Sequence, residues 1–222
     1  MEKISISDNI LKNLFKNVYF INGTAYAGKS TMVKMLAQKH NGIACNENYH
    51  EELNYLTDVE NQPNIHYFET MKDWQEFVNR SPQEYFDWIK NSSNEVSELE
   101  IIKLIQLAES GKKIFVDTNI SPEVLHQIST YNNVAIMVCP QSMSVEKFFD
   151  REDPEKQFIL SKINEAKDPQ KTMANFKACL EKINSKEQYD YFLNSGFFVF
   201  VRDNTKTLNE TLEILEKHFK LK

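Results

Sequence analysis

Five short apolar runs divide the chain, and sequence with helical periodicity separates one run from the next. Glycines precede three of them: Gly42, Gly111 and Gly196 each follow a helical stretch, the usual position of the residue that ends a helix. Helix-rich connections of this length predict parallel strands joined by right-handed crossovers. The pattern therefore predicts an α/β fold with a five-stranded parallel sheet flanked by helices. The predicted strands, all five expected to be buried, are 18–22, 43–45, 114–117, 134–138 and 197–201.

Helical periodicity and capping residues define the segments between these strands. Four prolines, each behind a serine or an aspartate, mark predicted helix starts at Pro82, Pro122, Pro154 and Pro169. The predicted helices are 8–16, 29–40, 71–80, 82–90, 94–110, 122–130, 144–151, 154–166, 169–183, 186–194 and 207–220.

Two connections are longer than simple crossovers require. With 222 residues, the length favours one domain, 1–222, that carries two helical insertions, 46–110 and 144–170. Both leave from the carboxyl ends of their strands, the edge at which open α/β sheets bind ligands. The first insertion is rich in aromatic residues at helical spacing, which favours the core of a small subdomain over a ring-stacking site.

The first apolar run ends in a motif with two glycines at a fixed spacing, followed by a lysine, a serine and a helix. Successive N–H groups can curl around an oligophosphate only if the chain turns tightly at the first glycine and approaches the anion closely at the second. Lys29 would then reach the β- and γ-phosphates, and the Ser30 hydroxyl would coordinate Mg²⁺. The motif predicts a phosphate-binding loop formed by Gly23, Thr24, Ala25, Tyr26, Ala27, Gly28, Lys29, Ser30 and Thr31.

Composition restricts the classes of partner. The net charge of −6 and the pI near 5.5 disfavour a broad nucleic-acid surface, because backbone binding depends on clustered Lys and Arg. No apolar run approaches the length of a membrane span, and the N-terminal residues are too polar for a signal peptide, so we expect a cytoplasmic protein without membrane contact. Cys45, Cys139 and Cys179 form no Cys-x-x-Cys pair, and we expect them to act as small hydrophobic residues.

Two acidic residues follow predicted strands directly. Asp117 ends the third strand, where it would bind Mg²⁺ or its water shell; alternatively, it caps the turn that follows. Glu47 follows the second strand, where it would deprotonate or orient an attacking hydroxyl; alternatively, it is a solvated loop carboxylate. The sequence leaves open which of the two acts as the base.

Arginine is rare in this chain. Three of the 26 basic residues are arginines, and planar, bidentate anion contacts are what distinguishes arginine from lysine. Arg151, in the second insertion, would close over the transferring phosphoryl group; alternatively, it pairs with Asp150 or Glu152. Arg80 is expected to complement a helix C-terminus, and Arg202, after the fifth strand, to flank a nucleotide base.

The phosphate-loop motif, the five-strand pattern, the acids after strands 2 and 3 and an arginine in a helical insertion together resemble the P-loop kinase family of nucleoside, nucleotide, shikimate and gluconate kinases. The resemblance implies a three-layer P-loop NTPase fold with strand order 2-3-1-4-5. It also implies that 46–110 binds the acceptor, that 144–170 forms a lid and that 202–205 contacts adenine. Glu47 would match the carboxylate that serves as base in deoxynucleoside kinases. Only 23–31 matches a family motif specifically.

The chain departs from this family at two points. Nucleoside monophosphate kinases follow the strand 3 aspartate with a Gly-aromatic-Pro-Arg run, whereas Thr118, Asn119 and Ile120 stand here. Their lids carry several arginines, whereas the second insertion carries Arg151 alone. An uncharged hydroxyl acceptor is therefore favoured over a nucleoside monophosphate. The Asn-Lys-x-Asp sequence of GTPases is absent, which leaves guanine specificity unsupported.

These features lead us to expect an ATP- and Mg²⁺-dependent phosphotransferase that acts on a hydroxyl of a small molecule. Lys29, Glu47, Asp117 and Arg151 are the expected catalytic residues, and Ser30 and Asp117 the expected metal ligands. The main alternative is a nucleotide-binding regulatory or adaptor protein with little turnover. A kinase of RNA ends would need a basic groove. The acceptor, the choice between ATP and GTP, and the oligomeric state stay open.

Overall fold

A five-stranded parallel sheet lies at the centre of the computed structural model, which describes residues 6–146, 148–149 and 154–221. Neighbouring strands are parallel throughout, and their order across the sheet is β2-β3-β1-β4-β5. The α/β class, the five predicted strands and the strand order 2-3-1-4-5 are thereby confirmed. The strands are Val18–Gly23 (β1), Ile43–Cys45 (β2), Ile114–Asp117 (β3), Val134–Val138 (β4) and Phe198–Val201 (β5).

The position of each strand explains its composition. β1 lies between β3 and β4, and helices pack on both faces of the sheet, so residues 18–21 are buried and apolar. β2 lies at the sheet edge, where Cys45 is buried but Ala44 is exposed. The expectation of a fully buried second strand was therefore wrong, because an edge strand has a partner on one side only.

The helices follow the predicted order. Each of the four prolines is the first residue of its helix, and capping boxes are present at Ser81 and Thr207. Short 3₁₀ helices occupy Glu51–Leu56 and Tyr131–Asn133. The α-helices are Asp8–Leu14 (α1), Lys29–Lys39 (α2), Tyr67–Thr70 (α3), Trp74–Val78 (α4), Pro82–Ala108 (α5), Pro122–Ile128 (α6), Gln141–Glu146 (α7), Pro154–Asn164 (α8), Pro169–Ile183 (α9), Lys186–Leu193 (α10) and Leu208–His218 (α11).

The main difference from the predicted helices concerns α5. It is one helix of 27 residues, about 40 Å long, rather than two helices at 82–90 and 94–110. Ser92 and Ser93 lie in the predicted gap between the two helices, yet both hydroxyls donate to the Ile89 carbonyl oxygen within the helix, at 3.1 and 2.8 Å. Within the described residues no helix, α5 included, combines the length and apolarity that a bilayer crossing requires.

Apolar cores cover both faces of the sheet. Tyr19 and Ile21 of β1 pack towards α2 and α11, whereas Val18 and Phe20 pack towards the opposite core, which includes Leu104 of α5. This alternation follows from the period-2 orientation of side chains along a strand. The sheet is therefore the middle of three layers.

A third core joins the two insertions. It contains Tyr67, Phe77 and Tyr85 from the first insertion, Ile163 from the second, and Phe176 and Leu180 of α9, which continues beyond the second insertion, together with neighbouring apolar side chains. We call α3, α4, α8, α9 and the first half of α5 the helical subdomain. The interpretation of the aromatic residues as subdomain core is confirmed for those in this cluster, whereas Tyr49 packs on the core beside the sheet and Tyr55 is exposed. Residues of both insertions share this one core.

The shared core leads to a prediction for Phe176, a fully buried residue of α9 whose ring lies 6.4 Å from that of Phe77 and 5.6 Å from that of Tyr85. Phe176→Ala should lower the free energy of unfolding by about 3–5 kcal/mol. The two tryptophans, Trp74 and Trp88, both belong to the first insertion, so their emission should shift as well. Phe158→Ala, at a ring 41% exposed, is the matched control with a smaller loss. Unaltered tryptophan emission in Phe176→Ala would contradict a shared core.

Candidate functional site

The glycine loop, residues 23–30, joins β1 to α2 and depends on the absence of a side chain at its first position. A Cβ atom on Gly23 would lie 1.9 Å from the carbonyl oxygen of Met137 on β4, and Gly23 has a φ of +128°. The N–H of Thr24 donates to the same oxygen at 3.0 Å. Gly28 also has a positive φ, of +93°, directly before α2. The chain can therefore leave β1 at this point only with glycine.

Two consecutive carbonyl groups of the loop are held by donors from neighbouring elements. The Ala25 oxygen accepts from the Ser144 hydroxyl at 3.1 Å and from the Cys139 thiol at 3.0 Å, and the Tyr26 oxygen accepts from Arg202 Nη1 at 2.8 Å. In a trans peptide the C=O and the following N–H point in opposite directions. Holding these oxygens therefore directs the next N–H groups to the other side of the loop, as an anion site requires.

Lys29, Ser30 and Asp117 meet at the start of α2. Ser30 Oγ donates to Asp117 Oδ2 at 2.6 Å, and Lys29 Nζ lies 3.8 Å from Asp117 Oδ1 and 3.3 Å from the Thr24 carbonyl oxygen. The Lys29 and Asp117 side chains are 15% and 6% exposed. Thr31 follows in the first turn of α2, whose N–H groups have no partners within the helix. The arrangement combines a cation, helix N–H groups and hard oxygen donors of the kind that bind Mg²⁺.

Glu47 does not belong to this cluster. It follows β2 at the edge of the sheet, it is exposed, and it makes no side-chain hydrogen bond or ion pair to the part of the chain that is described. The geometry fits the alternative of a solvated loop carboxylate. The role of Glu47 as a base stays a prediction.

The three arginines have different surroundings. Arg202 holds the glycine loop through Tyr26, and its Nε donates to Asn204 Oδ1 at 3.3 Å; a contact with a base stays a prediction. Arg80 places its guanidinium carbon 3.6 Å from the Tyr67 ring centroid, a cation–π contact inside the helical subdomain. Arg151 lies outside the described residues, so its predicted contact with a phosphoryl group stays a prediction too.

A cleft of about 660 Å³ opens beside Gly23, between the first half of α5, the turn between β3 and α6, and α10. Its charged residues are Lys90, Glu123 and Glu187, and the carboxylate of Glu123 accepts from the Tyr191 hydroxyl at 2.7 Å. Its apolar wall comprises Phe86, Ile89, Ile183, Tyr191 and Phe192. Its uncharged polar groups come from Asn22, Ser93, Asn94, Asn119, Ser121 and Gln188.

Glu100 is the site residue that sequence reasoning missed. It lies on α5 and is 2% exposed; its carboxylate accepts from the hydroxyls of Thr118 and Tyr49 and from the Asn119 N–H. Burial raises the pKa of Glu100 to about 7, although these hydrogen bonds lower it. The available signal was an acidic residue four positions before Leu104 on the apolar face of a predicted helix.

The raised pKa of Glu100 predicts a pH dependence of stability. Between pH 4.5 and about 7 the folded protein keeps this proton while the unfolded chain releases it, so stability falls as the pH rises. At 1.36 kcal/mol per unit, the free energy of unfolding should drop by about 3 kcal/mol relative to Glu100→Gln across this window. Chemical denaturation at pH 5 and pH 8 measures the difference, with Glu98→Gln, an exposed position on the same helix, as control. If wild type and Glu100→Gln lost the same free energy of unfolding between pH 5 and pH 8, the prediction would be contradicted.

The geometry of the glycine loop predicts that the stability of the protein depends strongly on Gly23. Gly23→Ala should lower the free energy of unfolding by about 3 kcal/mol or more, because the new methyl group would overlap the backbone of β4. The matched control is Gly111→Ala, at a φ of +67° with no atom within 4 Å of the added Cβ, which should cost about 1 kcal/mol. Thermal unfolding of both variants tests the contrast, and equal losses would refute it.

Comparison with known proteins found no relative of this chain. No protein-family model, no curated protein and no solved structure matches the chain. The parallel sheet, the glycine loop and the adjacent cleft are therefore observations on this chain alone, and the functional argument depends on them.

Proposed function

We propose that this protein is an ATP- and Mg²⁺-dependent phosphotransferase of the P-loop kinase family, acting on a hydroxyl group of a small, uncharged molecule. The observation that supports this most directly is the contact of Lys29, Ser30 and Asp117 at the end of a glycine loop that opens a helix. This combination of backbone N–H groups, one lysine and a hydroxyl–carboxylate pair has the chemistry needed to hold a nucleoside triphosphate.

Each group has a distinct part in the proposed reaction. The loop N–H groups and Lys29 would neutralise the β- and γ-phosphates and stabilise the charge that develops during transfer. Ser30 and Asp117 would hold Mg²⁺, and the ion would neutralise charge on the phosphate oxygens. Asp117 and Glu47 both remain candidates for accepting the proton of the attacking hydroxyl. Arg151 is proposed to close over the transferred group.

The cleft beside Gly23 supports an uncharged acceptor. Of the described residues, one lysine and two glutamates line it and no arginine does, so these residues do not supply the set of cations that a phosphate or dicarboxylate needs. Its amides and hydroxyls can bind hydroxyl groups, while the aromatic wall can pack against a ring or carbon skeleton. The cleft adjoins the first residue of the glycine loop, so an acceptor bound there would lie next to the triphosphate.

The proposal predicts that Mg²⁺-ATP raises the melting temperature and that Lys29→Ala removes most of this shift, since the lysine would contact the transferred phosphate. Lys34→Ala, at an exposed position on the same helix, is the matched control and should leave the shift unchanged. Transfer is then assayed with [γ-³²P]ATP against nucleosides, sugars and hydroxy acids, each paired with its phosphorylated form.

The outcomes separate the two functional classes. Transfer to an uncharged alcohol and not to its phosphorylated form is the expected result. A Lys29-dependent shift without transfer to any alcohol would favour the nucleotide-binding regulatory alternative. Absence of a shift with ATP and with GTP would overturn both.

A further inference from the structure

The carboxylate of Glu100 connects three segments near the carboxyl edge of the sheet. Its two oxygens accept from Thr118 and Asn119, which directly follow β3, and from Tyr49, which follows β2 by a short turn. The distances are 3.2 Å for the Tyr49 hydroxyl and 3.4 Å for the Asn119 N–H. Glu100 itself belongs to the half of α5 that packs on the sheet.

From Glu100 a chain of hydrogen bonds continues to the glycine loop. The Thr118 hydroxyl donates to Glu100 and accepts from the Ile120 N–H at 3.0 Å. The Ile120 carbonyl oxygen accepts from the Asn22 side-chain amide at 2.6 Å, and Asn22 directly precedes Gly23. Thr118 and Ile120 are fully buried, so water does not compete for these bonds.

We infer that Glu100 is a positioning residue for phosphoryl transfer: its carboxylate fixes the turn 118–120, which sets Asp117 on the donor side and Asn22 and Asn119 on the acceptor side. Asp117 immediately precedes this turn and contacts Ser30 and Lys29. Asn22 and Asn119 both line the cleft beside the glycine loop. One buried group therefore controls the relative placement of the two halves of the proposed site. The inference rests on the function proposed above.

The chemistry of these contacts requires a carboxylate. Three donors converge on Glu100, and a carboxylate offers acceptor sites on both oxygens, whereas a glutamine offers only one acceptor oxygen and adds an N–H₂ group. In Glu100→Gln either the Asn119 N–H would face the new N–H₂ group, or the amide would be turned and the Thr118 and Tyr49 hydroxyls would have to accept from residue 100 instead of donating to it. The turn 118–120 would then lose part of its support without loss of side-chain volume.

Stability does not account for a carboxylate at this depth. Glu100 is 2% exposed, and no Lys or Arg of the described residues forms an ion pair with it. Burying an unpaired carboxyl group opposes folding, and an apolar residue of similar size would be tolerated better in the surrounding core. The carboxylate instead provides two oxygen atoms that fix the positions of three hydrogen-bond donors.

The test compares Glu100→Gln and Thr118→Val with wild type at pH 8, with Glu98→Gln as the matched control on the exposed side of α5. Three quantities are measured: kcat for transfer from Mg²⁺-ATP to the most active alcohol of the panel, the Kd for ATP, and the melting temperature. We expect kcat to fall about 10–100-fold in both variants, because small displacements of reacting groups have effects of this size. The Kd for ATP should change less than about threefold, since the loop is held independently by Met137 of β4 and by Cys139 and Arg202, which directly follow β4 and β5.

Each outcome supports or overturns the inference. A fall in kcat with near-normal ATP affinity and melting temperature supports positioning, as does an intermediate effect of Tyr49→Phe, which removes one donor only. Unchanged kcat in Glu100→Gln, or a parallel loss of kcat, affinity and stability, overturns it while the proposed function stands. Absence of transfer by the wild-type protein overturns the proposed function and with it this inference.

Discussion

The close approach of Gly23 to the carbonyl group of Met137 is the constraint on which the site depends. β1 pairs with β4 up to this residue, so the position of the chain is set by the sheet until the loop begins. The distance allows no side chain, and the next N–H bonds to the same oxygen. The loop consequently starts at a fixed point and in a fixed direction. The positions of Lys29, Ser30 and Asp117, which meet at the end of this loop, are therefore set relative to the strands of the sheet.

Helix α5 is the second determinant of the architecture. Its first half provides aromatic residues for the helical subdomain and one wall of the cleft, and its second half packs on the sheet and carries Glu100. A continuous helix transmits displacement along its axis better than two helices joined by a flexible segment. The cleft beside Gly23 and the turn after β3 are therefore supported by the same continuous helix. Buried polar groups appear where these elements meet because the exits of several strands converge there.

Local sequence was sufficient for much of the fold. The strands could be predicted because each is a short apolar run, and three of them follow a helix-ending glycine; four helix starts could be predicted because serine or aspartate before proline is a strong local signal. The predicted division of α5 into two helices was wrong because Asn and Ser disfavour helix interiors only when their side chains compete for the backbone. Here two serine hydroxyls donate to a backbone carbonyl oxygen while the helix continues. The exposure of Ala44 was not predicted, because a three-residue strand has the same sequence pattern at the edge of a sheet as in its interior.

The candidate site divides in the same way. The glycine loop, with Lys29 and Ser30, could be recognised from spacing alone, since all its parts lie within one strand–turn–helix unit. Asp117 could be anticipated because strand ends meet at one edge. The common core of the two insertions, the cleft and the contacts of Glu100 depend instead on residues distant in the chain, such as Phe77 with Phe176. Local propensity and periodicity carry no information about such pairs, because their proximity results from the packing of whole helices against the sheet.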